Sequence, residues 1–284
     1  HVTFSTREEW EAMGGAGFLQ RLGVQYHWVN KGYNTFDDFL DGLKARKRKS
    51  IKQERRKVDS APVTIKRLRG AEIEDKHWEA FYKYYLNTVD AHWANDYLKE
   101  DFFKELGANL SDRVLLVVAE EEDGTPVAGA LNLIGEDALY GRNWGCAKQY
   151  DSLHFELCYY QAIEAAIEMG LSRVEAGAQG EHKIKRGYLP SLTYSAHYIR
   201  KDQKGFKAAV EDFLQTERRD IYYTLAVLSM QESPFKGDAV EDHLKTQGVL
   251  VKDNRIYLCE PESAAAGDAD SEGSGDPEAE EKES

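Results

Sequence analysis

Between Val114 and Trp144 the apolar residues abandon helical spacing and fall into three consecutive strand-length runs. Residues 114–119 are one unbroken apolar run, 127–134 the next and 138–144 the third. Two turns separate them: residues 122–126, with Asp123-Gly124 as a hairpin signal, and residues 135–137. Strands joined this tightly pair antiparallel, because a parallel pair needs a crossover of a dozen or more residues. A doubly wound parallel sheet is therefore excluded. The flanking segments return to helical period. Helices are predicted over residues 35–59, 74–90, 99–106, 153–169 (with Gly170 as a C′ glycine), 204–228 and 240–246. Further strands are predicted at 1–4, 62–68, 173–177, 193–199 and 255–258. The fold class expected is α+β, a mixed sheet with a central antiparallel meander flanked by helices.

Charge is unevenly spread. The chain has 284 residues and a formal net charge of −13, but residues 260–284 hold ten acids against one lysine. That tail contributes −9, has no aromatic residue, and is predicted to be disordered. The rest is nearly neutral, with basic residues gathered over 44–57, where nine Lys and Arg face one Glu. A solvated helix face and a contact to phosphates both fit that run. No apolar stretch approaches the roughly 18 residues of a membrane span. The three cysteines, Cys146, Cys158 and Cys259, are too scattered for a disulfide framework or a structural zinc site. A soluble, reducing setting is expected, cytoplasm or organelle stroma, with no targeting segment visible. No metal-ligand spacing, Gly-x-Ser-x-Gly or Walker-type Gly-Lys-Ser/Thr occurs.

The densest polar segment is residues 177–190. A loop after a strand, with Gly177 and Gly180, lets backbone N–H groups approach an oxygen-rich ligand. Lys183, Lys185 and Arg186 can neutralise phosphates there, although an ordinary solvated loop is also consistent. Glu181 and His182 are the first candidates for a general base. Glu156, on the first turn of a predicted helix, comes next, or else it simply favours the helix dipole. Arg142 and Trp144 lie two apart on a strand, so one face can offer a cation and an apolar wall to a donor. Tyr194 and His197 are candidates to protonate a leaving group, although a histidine on a strand such as His197 is more often a packed one. Gln25, His27, Trp28 and Asn30 suit a substrate wall or buried aromatic packing.

Several of these segments together resemble a known family. Residues 25–28, 36–39, 47–49, 128–132, 139–142, 144–145, 154–161, 177–183, 186–188 and 194–197 are similar to a family of predicted N-acyltransferases related to the FemAB/FemX peptidyltransferases and to GNAT-like acyltransferases. The resemblance runs from His1 to about Glu217. It implies a GNAT-like (acyl-CoA N-acyltransferase) fold and transfer of an acyl or aminoacyl group from a thioester or ester donor to a small-molecule or peptide amine. The implied donor is acyl-CoA, or aminoacyl-tRNA as in FemX-like relatives. The GNAT fingerprint Arg/Gln-x-x-Gly-x-Gly/Ala is absent from residues 144–152, and FemX-like relatives lack it too. Family members carry a segment ahead of the position of His1. The resemblance therefore implies that residues 1–30 end a preceding GNAT-like half, that 31–232 form a GNAT-like domain, and that 233–259 are an extension. A non-catalytic module that binds RNA or a protein partner through residues 44–57 is the alternative.

Overall fold

The computed structural model describes residues 1–91, 96–252 and 255–258. Cys259 and the acidic tail lie outside the described residues. The elements run β1 (Val2–Ser5), α1 (Arg7–Gly15), β2 (Leu19–Val29), α2 (Phe36–Asp41), α3 (Ala45–Asp59), β3 (Thr64–Leu68), α4 (Asp75–Ala91), α5 (Glu100–Asn109), β4 (Val114–Glu120), β5 (Pro126–Ile134) and β6 (Ala138–Cys146). There follow α6 (Leu153–Phe155), a π-helical turn (Glu156–Tyr160), α7 (Gln161–Glu168), β7 (Arg173–Glu175), a 3-10 turn (Glu181–Arg186), β8 (Leu189–His197), α8 (Lys204–Glu232), α9 (Ala239–Thr246) and the hairpin β9 (Val249–Lys252) and β10 (Arg255–Leu258).

Eight strands form one sheet in the order β1-β8-β2-β7-β6-β5-β4-β3, and β9 pairs with β10 apart from it. The predicted meander is β4–β5–β6, antiparallel throughout. Among the described residues of the large sheet only β6 and β7 run parallel, joined by the crossover through α6 and α7. The α+β class and the mixed sheet are as expected. β4 is buried along its whole length because both faces are covered. Val114, Leu116 and Val118 pack towards Trp78, Phe81 and Tyr85 of α4 and Phe103 of α5. Leu115, Val117 and Ala119 pack with the core under α2, α3, α6 and α7. β1 and β2 are hydrogen-bonded into this same sheet through β8. Among the described residues no helix is long and apolar enough to cross a membrane.

The single helix expected over 35–59 is broken. α2 ends at Asp41 and α3 starts at Ala45 because the backbone between them is taken by residues 234–236. Lys44 N–H donates to the Pro234 carbonyl (2.8 Å), Lys236 N–H to the Gly42 carbonyl (3.1 Å), and Leu43 bridges Phe235. β2, α1 and β9 were not predicted, although the first two leave a trace in the sequence. Leu22, Val24, Tyr26 and Trp28 alternate along β2, and Thr6 with Glu9 forms a capping box for α1.

α4 crosses β5 and β6 so closely that only glycine fits beneath it. A Cβ on Gly145 would lie 2.2 Å from the Tyr84 carbonyl oxygen, and one on Gly129 2.8 Å from the Phe81 ring. Because the obstacle at Gly145 is backbone, Gly145→Ala is expected to destabilise the fold by about 1–3 kcal/mol. A lower midpoint in urea denaturation would register it, and an unchanged midpoint would show that α4 yields freely.

Candidate active site

The site begins where two parallel strands part. β6 and β7 pair over only three positions, ending at Tyr140↔Glu175. Beyond Glu175 the chain turns towards β2: Ala176 N–H donates to the Tyr26 carbonyl and Tyr26 N–H to the Gly177 carbonyl, both at 3.0 Å. Gly177 has φ 77°, which a side chain would resist. β6 meanwhile runs on to Cys146. At the parting point it carries a bulge, since Leu131 faces Asn143 while Asn132 faces Gly141. Arg142 is the extra residue, and a bulge of this kind re-aims side chains beside a site. α4 caps the far end of the free edge, where Thr88 Oγ1 donates to the Trp144 carbonyl (2.9 Å) and Asn87 Nδ2 to that of Cys146 (3.4 Å).

The wedge holds a cavity of about 170 Å³ whose walls include Arg142, Asn143, Trp144, His154, Cys158, Tyr159, Ala176 and Lys183. On the other side of Gly141 and Arg142 lies a groove of about 650 Å³, with Gln25, His27, Asp137, Arg173, Glu175, Gly177 and Tyr194 among its walls. Arg142 borders both, is exposed, and makes no ion pair or hydrogen bond among the described residues.

Burial sets the protonation of the inner cavity. Lys183 is only 7% exposed, and its Nζ donates to the Ala176 carbonyl (2.5 Å) and lies 5.7 Å over the Tyr26 ring. No carboxylate pairs with it among the described residues, and burial lowers its amine to about 8. His154 packs 4.9 Å from Trp144 and 5.5 Å from Tyr159. Burial first, then the neighbouring His182, Arg186 and Lys183, lower it to about 4, so it is uncharged at neutral pH. His182 Nε2 lies 3.0 Å from Tyr159 Oη, and burial followed by Arg186 and Lys183 lowers that imidazole too. Burial raises the Tyr159 phenol and the Cys158 thiol.

The expected residues therefore divide. Lys183, Arg142 and Trp144 line the inner cavity, and the bulge explains how Arg142 does so. Gly177, Gln25, His27 and Tyr194 line the outer groove. Gln25 and His27 share a face of β2, whereas Trp28 points the other way and is fully buried against Phe39 and Tyr33, which makes it core rather than ligand wall. Asn30 closes a turn through its bonds with the Tyr33 backbone and does not reach the groove. Gly180 (φ 96°) leaves room for the His182 ring, which a Cβ would meet at 2.4 Å. Glu181 is exposed and lines neither cavity. His197 sits at the end of β8, its Nδ1 2.7 Å from that of His1. His154 was not singled out as a site residue. Its motif was visible in the sequence, but the ring contacts and the cavity arise only when α6 is laid against β6.

Glu156 and Arg186 serve a different purpose. Glu156 is 4% exposed and bound by Arg55 (3.0 Å) and by Gln161 Nε2 (2.8 Å). Burial raises its carboxyl against the pull of Arg55. Arg186 makes a two-nitrogen bond to Glu54, donates to the His182 carbonyl (2.8 Å) and lies 3.3 Å over the Phe155 ring. Neither is free for substrate. Together with Tyr160, which also bonds Glu54, they clamp α3 to the π-turn and to the loop carrying Lys183.

The model of the FemAB-like family, described as peptidoglycan biosynthesis/recognition, matches residues 1–237. No curated protein sequence matches the chain. Among solved structures, L-PGS from Bacillus licheniformis superposes with a TM-score of 0.53 at 11% identity, covering 75% of this chain and 71% of that one. FemX superposes with a TM-score of 0.51 at 11% identity, over 72% and 71%. At such identity these likenesses speak for the fold alone, an α+β one shared with these two proteins.

Because Arg186 is nearly buried, removing its counter-charge leaves an uncompensated cation. Glu54→Gln is expected to cost about 3 kcal/mol, read as a lower denaturation midpoint. A change below about 0.5 kcal/mol would show that the clamp is a solvated surface pair.

Proposed function

The chain belongs to the FemAB-like family, and from that premise and the chemistry of the cavity we propose a transferase that moves an aminoacyl or acyl group from an activated ester to an amine. The observation that carries this is a buried ammonium and an uncharged imidazole, Lys183 and His154, lining one cavity. The acceptor amine, in its neutral form after losing a proton to solvent, attacks the ester carbonyl; a C–N bond forms, and negative charge develops on the carbonyl oxygen. Lys183 stabilises that oxygen in a site already poor in water. The adduct nitrogen is then an ammonium more acidic than that of the free amine, and it needs a group in contact that can relay its proton. His154 takes its proton and returns it to the leaving oxygen as the C–O bond breaks. His182 and Tyr159 pack against His154 and hold it in place. Arg142, between the two cavities, is suited to an anionic group on either substrate.

The outer groove is the proposed place of the acceptor because it opens beside Arg142 at the mouth of the inner cavity; its carboxylates, Asp137 and Glu175, are both paired to Arg173. A peptide amine of the cell-wall type is in keeping with the family's description. For the donor, an aminoacyl-RNA ester is favoured over acyl-CoA. Residues 144–152, where a pyrophosphate would be wrapped, have Lys148 already bound to Glu121 (2.6 Å) and Asp151 to Lys57 (2.7 Å). The one cation of that stretch is thus committed, and its one glycine, Gly145, lies against the Tyr84 backbone, which leaves little there to wrap a diphosphate.

Transfer of labelled acyl groups from aminoacyl-tRNA or from acyl-CoA to a peptide amine is the test. Lys183→Met is expected to lower kcat by about 10²–10³ and His154→Phe by about 10²–10⁴, with the fold intact by circular dichroism. The ammonium of Lys183 is present below its value of about 8 and lost above it. kcat should therefore fall as pH rises through about 8, and that limb should move upward in Lys183→Arg. Full turnover by Lys183→Met would sink the mechanism.

A further inference from the structure

We propose that Lys44, Arg46, Lys47 and Lys49 at the start of α3, with Lys185 beside them, form a landing surface for the phosphodiester backbone of the donor's RNA. This rests on the aminoacyl-RNA reading of the donor.

The cations of α3 divide into paired and unpaired ones, and of the unpaired ones Arg56 stands apart, two turns beyond Lys49. Arg48, Lys52, Arg55 and Lys57 are each paired to a carboxylate, at 2.6, 3.2, 3.0 and 2.7 Å. Arg46, Lys47 and Lys49 make no ion pair or hydrogen bond among the described residues. Lys44 Nζ donates only to the Ser233 carbonyl (3.1 Å), which does not neutralise it. Lys185 meets a single carboxylate, Glu232, at 3.7 Å. These cations lie close enough to repel one another. Burial pulls the Lys47 amine down, Glu232 opposes that, and Lys185, Arg46 and Lys44 add to the lowering. One carboxylate beside Lys44, Arg46, Lys47 and Lys185, with the unpaired Lys49 one turn beyond Arg46, leaves a field that attracts a polyanion.

Position links this surface to the chemistry. Lys185 is two residues beyond Lys183 on the same 3-10 turn, and Arg186 of that turn is bonded to Glu54 of α3. A polyanion on this surface lies next to the loop that walls the cavity. RNA fits better than a lipid surface, because the large exposed apolar side chains lie elsewhere, on β1, α5, β6, α8 and the β9–β10 hairpin among other places, and among the described residues none is on α3 or the 3-10 turn. An interfacial helix would need an apolar face towards the membrane, and the apolar residues of α3, Ile51 and Val58, are buried inward. The basic residues have no aromatic residue among them, so contact is to phosphates rather than to stacked bases.

The test measures deacylated tRNA binding by fluorescence anisotropy across about 50–200 mM salt. It compares the full chain with R46E/K49E, whose two sites are exposed, and with K47Q. Transfer is then followed from aminoacyl-tRNA and from the same amino acid esterified to a short 3′-terminal RNA. Wild-type affinity should fall steeply with salt. R46E/K49E should bind about tenfold or more weakly, with a salt slope smaller by about two. KM for aminoacyl-tRNA should rise with kcat kept, and turnover on the short ester should be unchanged. Equal tRNA affinity in wild type and R46E/K49E overturns the proposal, as does a preference of the wild type for anionic vesicles or polyglutamate over tRNA. If wild type transfers from neither ester, the donor reading fails while the affinity comparison still decides the surface.

Discussion

Everything at the site follows from the brevity of the β6–β7 pairing. A parallel contact of three residues joins two otherwise antiparallel halves of the sheet. Past Tyr140 the edge of β6 has no strand beside it, and unpaired backbone groups in an interior must find other partners. Thr88 and Asn87 of α4 supply them for Trp144 and Cys146. The stretch between, with the bulged Arg142, is left facing a cavity. The same opening admits the π-turn, so His154, Cys158 and Tyr159 look into the wedge while Glu156 looks out of it.

The second determinant is how ionisable groups are sorted between pairing and isolation. Glu54, Arg55, Glu156, Glu164 and Arg186 neutralise one another behind the cavity. Buried pairs of this kind add little net stability, but they fix the relative position of α3, the π-turn and the loop of Lys183. Inside the cavity the rule is reversed. Lys183 and His154 have no counter-charge among the described residues; burial lowers both, and the cations beside His154 add to its lowering.

Much of the architecture was legible because it depends on local period. The hairpin-linked strands between Val114 and Trp144, the helix stopping at Gly170 and the strand after it are all set by spacing and turn chemistry within a few residues. β2 was harder to recognise, because Gln25 and His27 on its groove face interrupt the apolar run that Tyr26 and Trp28 supply to the core. The break between α2 and α3 was invisible, since it exists only because residues 234–236 bind the backbone there. Charge was the least informative signal about roles. Glu156, Arg186 and Lys183 all looked like candidates for polar chemistry, and only burial and partnering separate two clamp residues from a cavity cation.

The sequence by itself determined the α+β class, the meander, the position of the polar loop after β7 and the gathering of basic residues over 44–57, because each depends on periodicity or composition. Which of those polar groups meet was decided by the tertiary structure alone. His154 and Lys183 are twenty-nine positions apart, and they share a cavity only because β6 and β7 diverge. Arg142 borders two cavities only because a bulge adds it to β6. Contacts of that kind are set by how strands separate and how helices lie across them, which no local pattern encodes.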